Sequence, residues 1–302
     1  MWRQQNRLFH IARKLTTAQL QQEDKADLDI RDLSLFEVGK RGSDRFLGFY
    51  SEPGLKLALT KYGFFKALER LGFWRVHIAL DTQDPFVHRL RLDCEADGEP
   101  VLGELIVRKN DLSLPVPKGH ELAGLTFEML HIEWLYLQDP ERSFDSAKPQ
   151  LPGQDHPGLG LAKMVLELLL IMARRLNLAG LLNRPAHFHN AVMGDSVFAF
   201  CDPGTQGRYD ALKRDLGGVS LQAASWAVEW HCVYDVMRQA PLEWHSHHFT
   251  APLDARLKRY FRSEDYLSQR WQSAGQFQFH LDEAKLRHKA SKTGVFIPRI
   301  RL

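Results

Sequence analysis

Four segments of alternating apolar and polar residues lie between Trp74 and Leu137, and a long apolar run, Leu161 to Leu176, follows them. Alternation with period two puts one face of a strand toward a core, and an apolar stretch of this length and composition reads as a largely buried helix. The segments are Trp74 to Leu80, His88 to Cys94, Val101 to Lys109 and Leu125 to Leu137. A polar turn at Ala96-Asp97-Gly98-Glu99-Pro100 joins the second to the third and predicts a hairpin. Between the fourth segment and the apolar run stands a Pro/Gly-rich connection, Gln138 to Gly158, ending in Gln154-Asp155-His156-Pro157-Gly158-Leu159-Gly160. A glycine-bearing loop between a strand and a helix aims backbone N–H groups at an anion, and the helix dipole adds to their pull. A phosphate-bearing ligand is the expected occupant.

The remaining chain is read more coarsely. Residues 1–28 predict an amphipathic helix with Leu8, Ile11, Leu15 and Leu20 near helical spacing, and Glu52-Pro53-Gly54 predicts a turn. Leu55 to Leu71 predicts a helix that Gly63 weakens or divides. Short strands are expected at Gly180 to Leu182 and Val197 to Cys201, a helix over Leu221 to Met237, and a helical, charged region over 250–302. The pattern is α+β: a mixed, mostly antiparallel sheet flanked by helices, with helical N- and C-terminal regions. Three regions follow: 1–72, a helical N-terminal region; 73–216, the α+β core; 217–302, a helical C-terminal region. The glycines do not follow the G-x-G-x-x-G spacing, and no Lys-Ser/Thr follows them, so dinucleotide and P-loop readings are weak.

Composition bounds the rest. A formal net charge of +3 argues against nucleic acid or a membrane surface as partner. The apolar stretch Met164 to Met172 is too short to span a bilayer and contains Glu167. Three widely spaced cysteines, Cys94, Cys201 and Cys232, form no metal or redox motif, and with no signal peptide in view a cytoplasmic location is expected.

Residues 74–202 resemble the GNAT superfamily of acyl-CoA-dependent N-acyltransferases. The resemblance is carried by the hairpin, the fourth strand, the glycine loop with Gly158-Leu159-Gly160, the helix and the fifth strand. The family's loop motif is [Gln/Arg]-x-x-Gly-x-[Gly/Ala]; here its first position is Asp155, and Gln154 stands one residue earlier. The resemblance implies acyl-CoA, such as acetyl-CoA, as cosubstrate, with Gln154, His156, Gly158, Leu159 and Gly160 around its pyrophosphate. It also implies an amine acceptor or a protein partner of unspecified identity. The family often uses a glutamate on the fourth strand as base, and Glu133 with His131 on the same face fits that role. The tyrosine the family often places after the fifth strand is absent from His189-Asn190-Ala191-Val192. A GNAT-like protein that binds a ligand or protein without catalysis is an alternative.

Other candidates remain open on the residues alone. His187 and His189 can face one way on a strand and bind a metal in a metal-dependent enzyme, but their spacing fixes no third ligand, so a structural pair and no metal site are expected. His245-Ser246-His247-His248 reads the same way. After Asp202-Pro203-Gly204, Arg208 can reach a phosphate or carboxylate and Tyr209 can donate a proton, while a turn and helix start explain the same residues. Residues 138–157 are either a flap over the ligand site or a packed connection.

Overall fold

The computed structural model describes residues 8, 10–23, 45–94 and 101–297. The chain forms two compact units, one of residues 1–110, 129–141 and 158–178, the other of 111–128, 142–157 and 179–302. They differ from the three regions read from the sequence. The fold is α+β with a mixed, mostly antiparallel sheet.

In the first unit the expected N-terminal helix is divided. Helical residues 10–14 end at Leu15, and a short helix, α1 (Thr17–Leu20), begins behind Thr16, whose hydroxyl accepts from the Gln19 N–H while the Gln19 side chain accepts from the Thr16 N–H. A Thr-x-x-Gln capping box breaks the helical run that the apolar spacing suggests. The rest of the expected 1–28 helix lies outside the described residues.

Glu52-Pro53-Gly54 is not a turn but the first turn of α2 (Glu52–Tyr62). Ser51 caps it by accepting from the Gly54 N–H at 3.1 Å, and proline suits the start of a helix because its missing N–H has no partner there to lose. Gly54 is also a packing requirement. A Cβ built there would lie 2.1 Å from the Leu20 carbonyl oxygen. Gly63 ends α2 in the left-handed conformation at φ 83°, and α3 (Phe64–Glu69) follows.

The four expected strands form. β1 (Val76–Asp81) pairs antiparallel with β2 (Val87–Cys94), and β2 with β3 (Val101–Ser113). β3 neighbours β4 (Thr126–Leu137), where the Gln138 N–H donates to the Leu102 carbonyl at 2.8 Å. The connecting turn expected at 96–100 lies outside the described residues. α4 (Ala162–Arg175) is the helix expected over 161–176, and its basic C-terminus finds a use. The Arg175 guanidinium donates to the Ala12 and Leu15 carbonyls, closing the end of the helical segment at 10–14.

In the second unit β5 (Gly180–Asn183) pairs antiparallel with β9 (Phe249–Pro252), which also pairs with β6 (Ala199–Phe200). The Asp202-Pro203-Gly204 segment opens α6 (Pro203–Asp215), with Asp202 as N-cap accepting from Thr205. The expected helix over 221–237 stops early: α7 (Leu221–Glu229) ends where His231 takes φ 53° and the Cys232 N–H bonds back to the Ala227 carbonyl. The chain then forms β7 (Val233–Asp235), which pairs with β8 (Ala240–Pro241) and β10 (Phe279–Leu281). The C-terminal region is therefore not purely helical. It carries this small sheet besides α8 (Ala255–Tyr260), α9 (Glu264–Gly275) and α10 (Glu283–Thr293). α5 (Phe188–Gly194) is a short helix behind His187.

Candidate functional site

In the first unit, β4 places His131 and Glu133 two residues apart on one face. The Arg108 guanidinium of β3 meets both: its Nε lies 2.8 Å from Glu133 Oε1 and 3.5 Å from His131 Nδ1. His131 is buried, whereas the Glu133 and Arg108 side chains keep 30% and 38% of their surface open to solvent. Arg108 fixes the Glu133 carboxylate in position. It was absent from the sequence-based site because the pairing of β3 with β4 is needed to bring position 108 beside 131 and 133.

β4 then leads to the glycine loop. Gln138 and Gly158 form an isolated antiparallel bridge, and the Leu159 N–H donates to the Leu137 carbonyl at 3.1 Å. The Leu159 amide is thus spent on holding the loop to the strand, and its side chain is buried. Gly160 is exposed at φ 76° with open space where a Cβ would stand. α4 starts two residues later. Its N-cap, Leu161, makes no side-chain cap bond, and its first turn carries no acidic residue. A 14-residue helix with an uncapped N-terminus beside an open glycine is the arrangement that receives an anion.

Gln154 and His156 belong to the second unit. Gln154 is engaged locally: its Oε1 accepts from the Leu151 N–H and its carbonyl from Gln150 Nε2. Asp155 is exposed. The 142–157 segment is a packed connection, since the Gln150 carbonyl accepts from Trp226 Nε1 and Gln222 Nε2 of α7, and Leu151 is buried.

The histidine pair of the second unit does not share a strand. His187 precedes α5 and His189 lies in its first turn, with the rings stacked at 5.4 Å and 9° between planes. His187 Nδ1 sits 2.9 Å from Glu229 Oε2, and Gly153 lies so close that a Cβ there would come within 2.7 Å of His187 Nε2. Burial, with the neighbouring His187, pushes the His189 imidazole down to about 4. Among the described residues no group of three or more His, Cys, Asp or Glu side chains is placed to hold a metal ion. Tyr209, buried, has its hydroxyl committed to Asp195 Oδ2 at 2.8 Å, and burial raises its pKa, so it is a poor proton donor. Cys201 is buried against the Thr250 hydroxyl, and burial drives its thiol up to about 12.

No family model and no curated protein matches the chain. Three solved structures are similar to about half of it. One is AtaT complexed with acetyl-methionyl-tRNAfMet, 12% identical, covering 47% of this chain and 72% of that one, with a TM-score of 0.24. A second is a KacTA–DNA complex, 11% identical over 52% of this chain and 77% of that one, with a TM-score of 0.24. A third is AtaTR bound with AcCoA, 14% identical over 52% and 80%, with a TM-score of 0.25. Two of the three are nucleic-acid complexes, and the exclusion of a nucleic-acid partner is corrected. A whole-chain net charge of +3 does not exclude one, because nucleic acid is bound by locally placed cations rather than by the chain's sum. Among the described residues no helix is long and apolar enough to cross a membrane.

Proposed function

We propose that the first unit carries an acyl-CoA-dependent N-acyltransferase site of GNAT type. The observation that supports this most is the junction of β4 with the glycine loop. The loop is tied to Leu137 and Gln138, leaves Gly160 open, and feeds directly into the uncapped N-terminus of α4. The acyl-CoA pyrophosphate would rest on Gly160 and the first amides of α4. The phosphates would displace no side-chain cap there, so the first backbone N–H groups of α4 and the helix dipole can both act on them.

Glu133 on the same strand is the proton acceptor. It takes a proton from the acceptor ammonium, directly or through water. The amine nitrogen then attacks the thioester carbonyl carbon, the C–N bond forms, the C–S bond breaks, and coenzyme A leaves as its thiolate, which takes up a proton. His131 and Arg108 position the carboxylate. Acetyl-CoA is the simplest donor. The test is acyl transfer by the full chain from [14C]acetyl-CoA to a panel of amines: small polyamines, peptide N-termini, lysine side chains and aminoacyl-tRNA. Incorporation that depends on Glu133 and Gly160 supports the reading. No incorporation into any acceptor, in a protein that also fails to bind acetyl-CoA, removes it.

A further inference from the structure

The second unit contains a cavity of about 50 Å³ that no step above uses. Arg208, Thr205, Tyr209, Trp244, His245 and His247 are among its walls. Of its polar members, two are already committed: the Thr205 hydroxyl to Asp202 Oδ2, and the Tyr209 hydroxyl to Asp195. Arg208 is not. Its Nε is shielded from solvent and has no hydrogen-bond partner, and one terminal nitrogen makes only a long 3.5 Å approach to the Glu243 carbonyl. The guanidinium lies 5.7 Å from the centre of the Phe277 ring, and the Arg238 guanidinium lies 4.5 Å from the same ring centre.

The nearby carboxylates have other partners, though Glu243 is itself a wall of the cavity. Asp235 accepts from Arg238 and from the N–H groups of Met237 and Arg238, Asp202 caps α6, and Glu243 faces His245. Arg208 as a whole is half-buried, but a guanidinium nitrogen that is shielded from water and unpaired is costly, and an oxyanion entering the cavity would relieve that cost. Burial, followed by the Arg238 charge, lowers the Arg208 pKa, while the Asp235 and Glu243 charges act the other way.

We propose that this cavity is a binding site for an oxyanion, a phosphate or carboxylate group borne on a small ligand. Arg208 supplies the forked donors, and the exposed imidazoles of His245 and His247 close over the anion from the other wall. The volume suits the charged head of a ligand, and the Trp244 ring gives an attached flat group an apolar surface. The site belongs to the second unit and is independent of the acyl-CoA loop at Gly158–Gly160.

Isothermal titration of the full chain at constant ionic strength tests this, with inorganic phosphate, phenyl phosphate and benzoate as probes. Saturable binding of at least one is expected. It should weaken by about 10- to 100-fold in Arg208→Met, the loss for a charge-assisted hydrogen bond, and by less in Arg208→Lys. Gly160→Val must leave it unchanged, which separates this site from the acyl-CoA loop. Binding of the phosphates alone assigns a phosphorylated ligand, and of benzoate alone a carboxylate. Should Arg208→Met fail to fold, the exposed His245→Asn and His247→Asn carry the test, each expected to weaken binding severalfold. No binding by any probe, or equal binding in wild type and all these variants, overturns the proposal.

Discussion

Arg108 of β3 and Glu133 of β4 form an ion pair, Nε to Oε1 at 2.8 Å, on neighbouring strands of the first unit. The pair is about one-third exposed, and pairs of that kind contribute only about 0–1 kcal/mol to stability. Its use is therefore orientation. Glu133→Gln keeps the shape and removes the basicity, and should lower kcat by about 10²–10⁴-fold with little change in acetyl-CoA affinity. Arg108→Gln should lower kcat less and leave the denaturation midpoint nearly unchanged. Steady-state kinetics with calorimetry of cofactor binding checks both.

Gly54 should tolerate no side chain. A Cβ there would overlap the Leu20 carbonyl at 2.1 Å, and that backbone is pinned, since the Ser51 N–H donates to the same oxygen. Gly54→Ala is expected to destabilise the protein by roughly 1–3 kcal/mol, the usual cost of overpacking. Gly119→Ala, in open space on the surface, should change stability by less than about 0.5 kcal/mol. Urea midpoints of the two variants decide.

His189 predicts an acid-sensitive stability. Its folded pKa, about 4, lies below the ordinary histidine value of 6.5 because burial disfavours the charged ring. Between those values the unfolded chain binds a proton that the folded chain refuses. Stability is therefore full above about pH 6.5 and falls as pH drops toward 4, by up to ~2–3 kcal/mol from this group. His189→Leu should flatten that part of the curve. An unchanged pH dependence in a folded His189→Leu protein would assign the effect to other groups.

The His187/His189 pair is proposed to be structural. His187 is occupied by Glu229 and wedged against Gly153, and His189 is buried beneath it. Elemental analysis of untagged protein purified without a nickel column is expected to find no stoichiometric metal. Metal that disappears in the His187→Ala/His189→Ala double variant would contradict this.

Much of the first unit was legible because its signals are local. Alternation marks β1 to β4, and the apolar run at Leu161 marks α4 within a residue at each end. What the sequence hid was set by caps and by partners. Glu52-Pro53-Gly54 has turn composition, yet Ser51 makes it a helix start. The apolar pattern after Leu221 continues past the point where His231 adopts a left-handed backbone and stops α7. β9 is four residues ending in proline, without alternation, and becomes a strand only through β5 and β6. In the candidate site, Glu133, His131 and the glycines were visible, but Arg108 required the strand pairing. The cavity around Arg208 required both the loop at 242–247 and α6, which no spacing rule joins.

The central claim is that Gly160 and the N-terminus of α4 hold acyl-CoA. Gly160 sits at φ 76°, where a non-glycine residue costs roughly 1–2 kcal/mol, and its side-chain position is the open ground the pyrophosphate would take. Calorimetric titration of acetyl-CoA into wild-type protein and Gly160→Val, with circular dichroism to confirm that both are folded, tests it most directly. The account predicts saturable binding to wild type and its loss in Gly160→Val. No binding to wild type, or equal affinity in the two folded proteins, would contradict it.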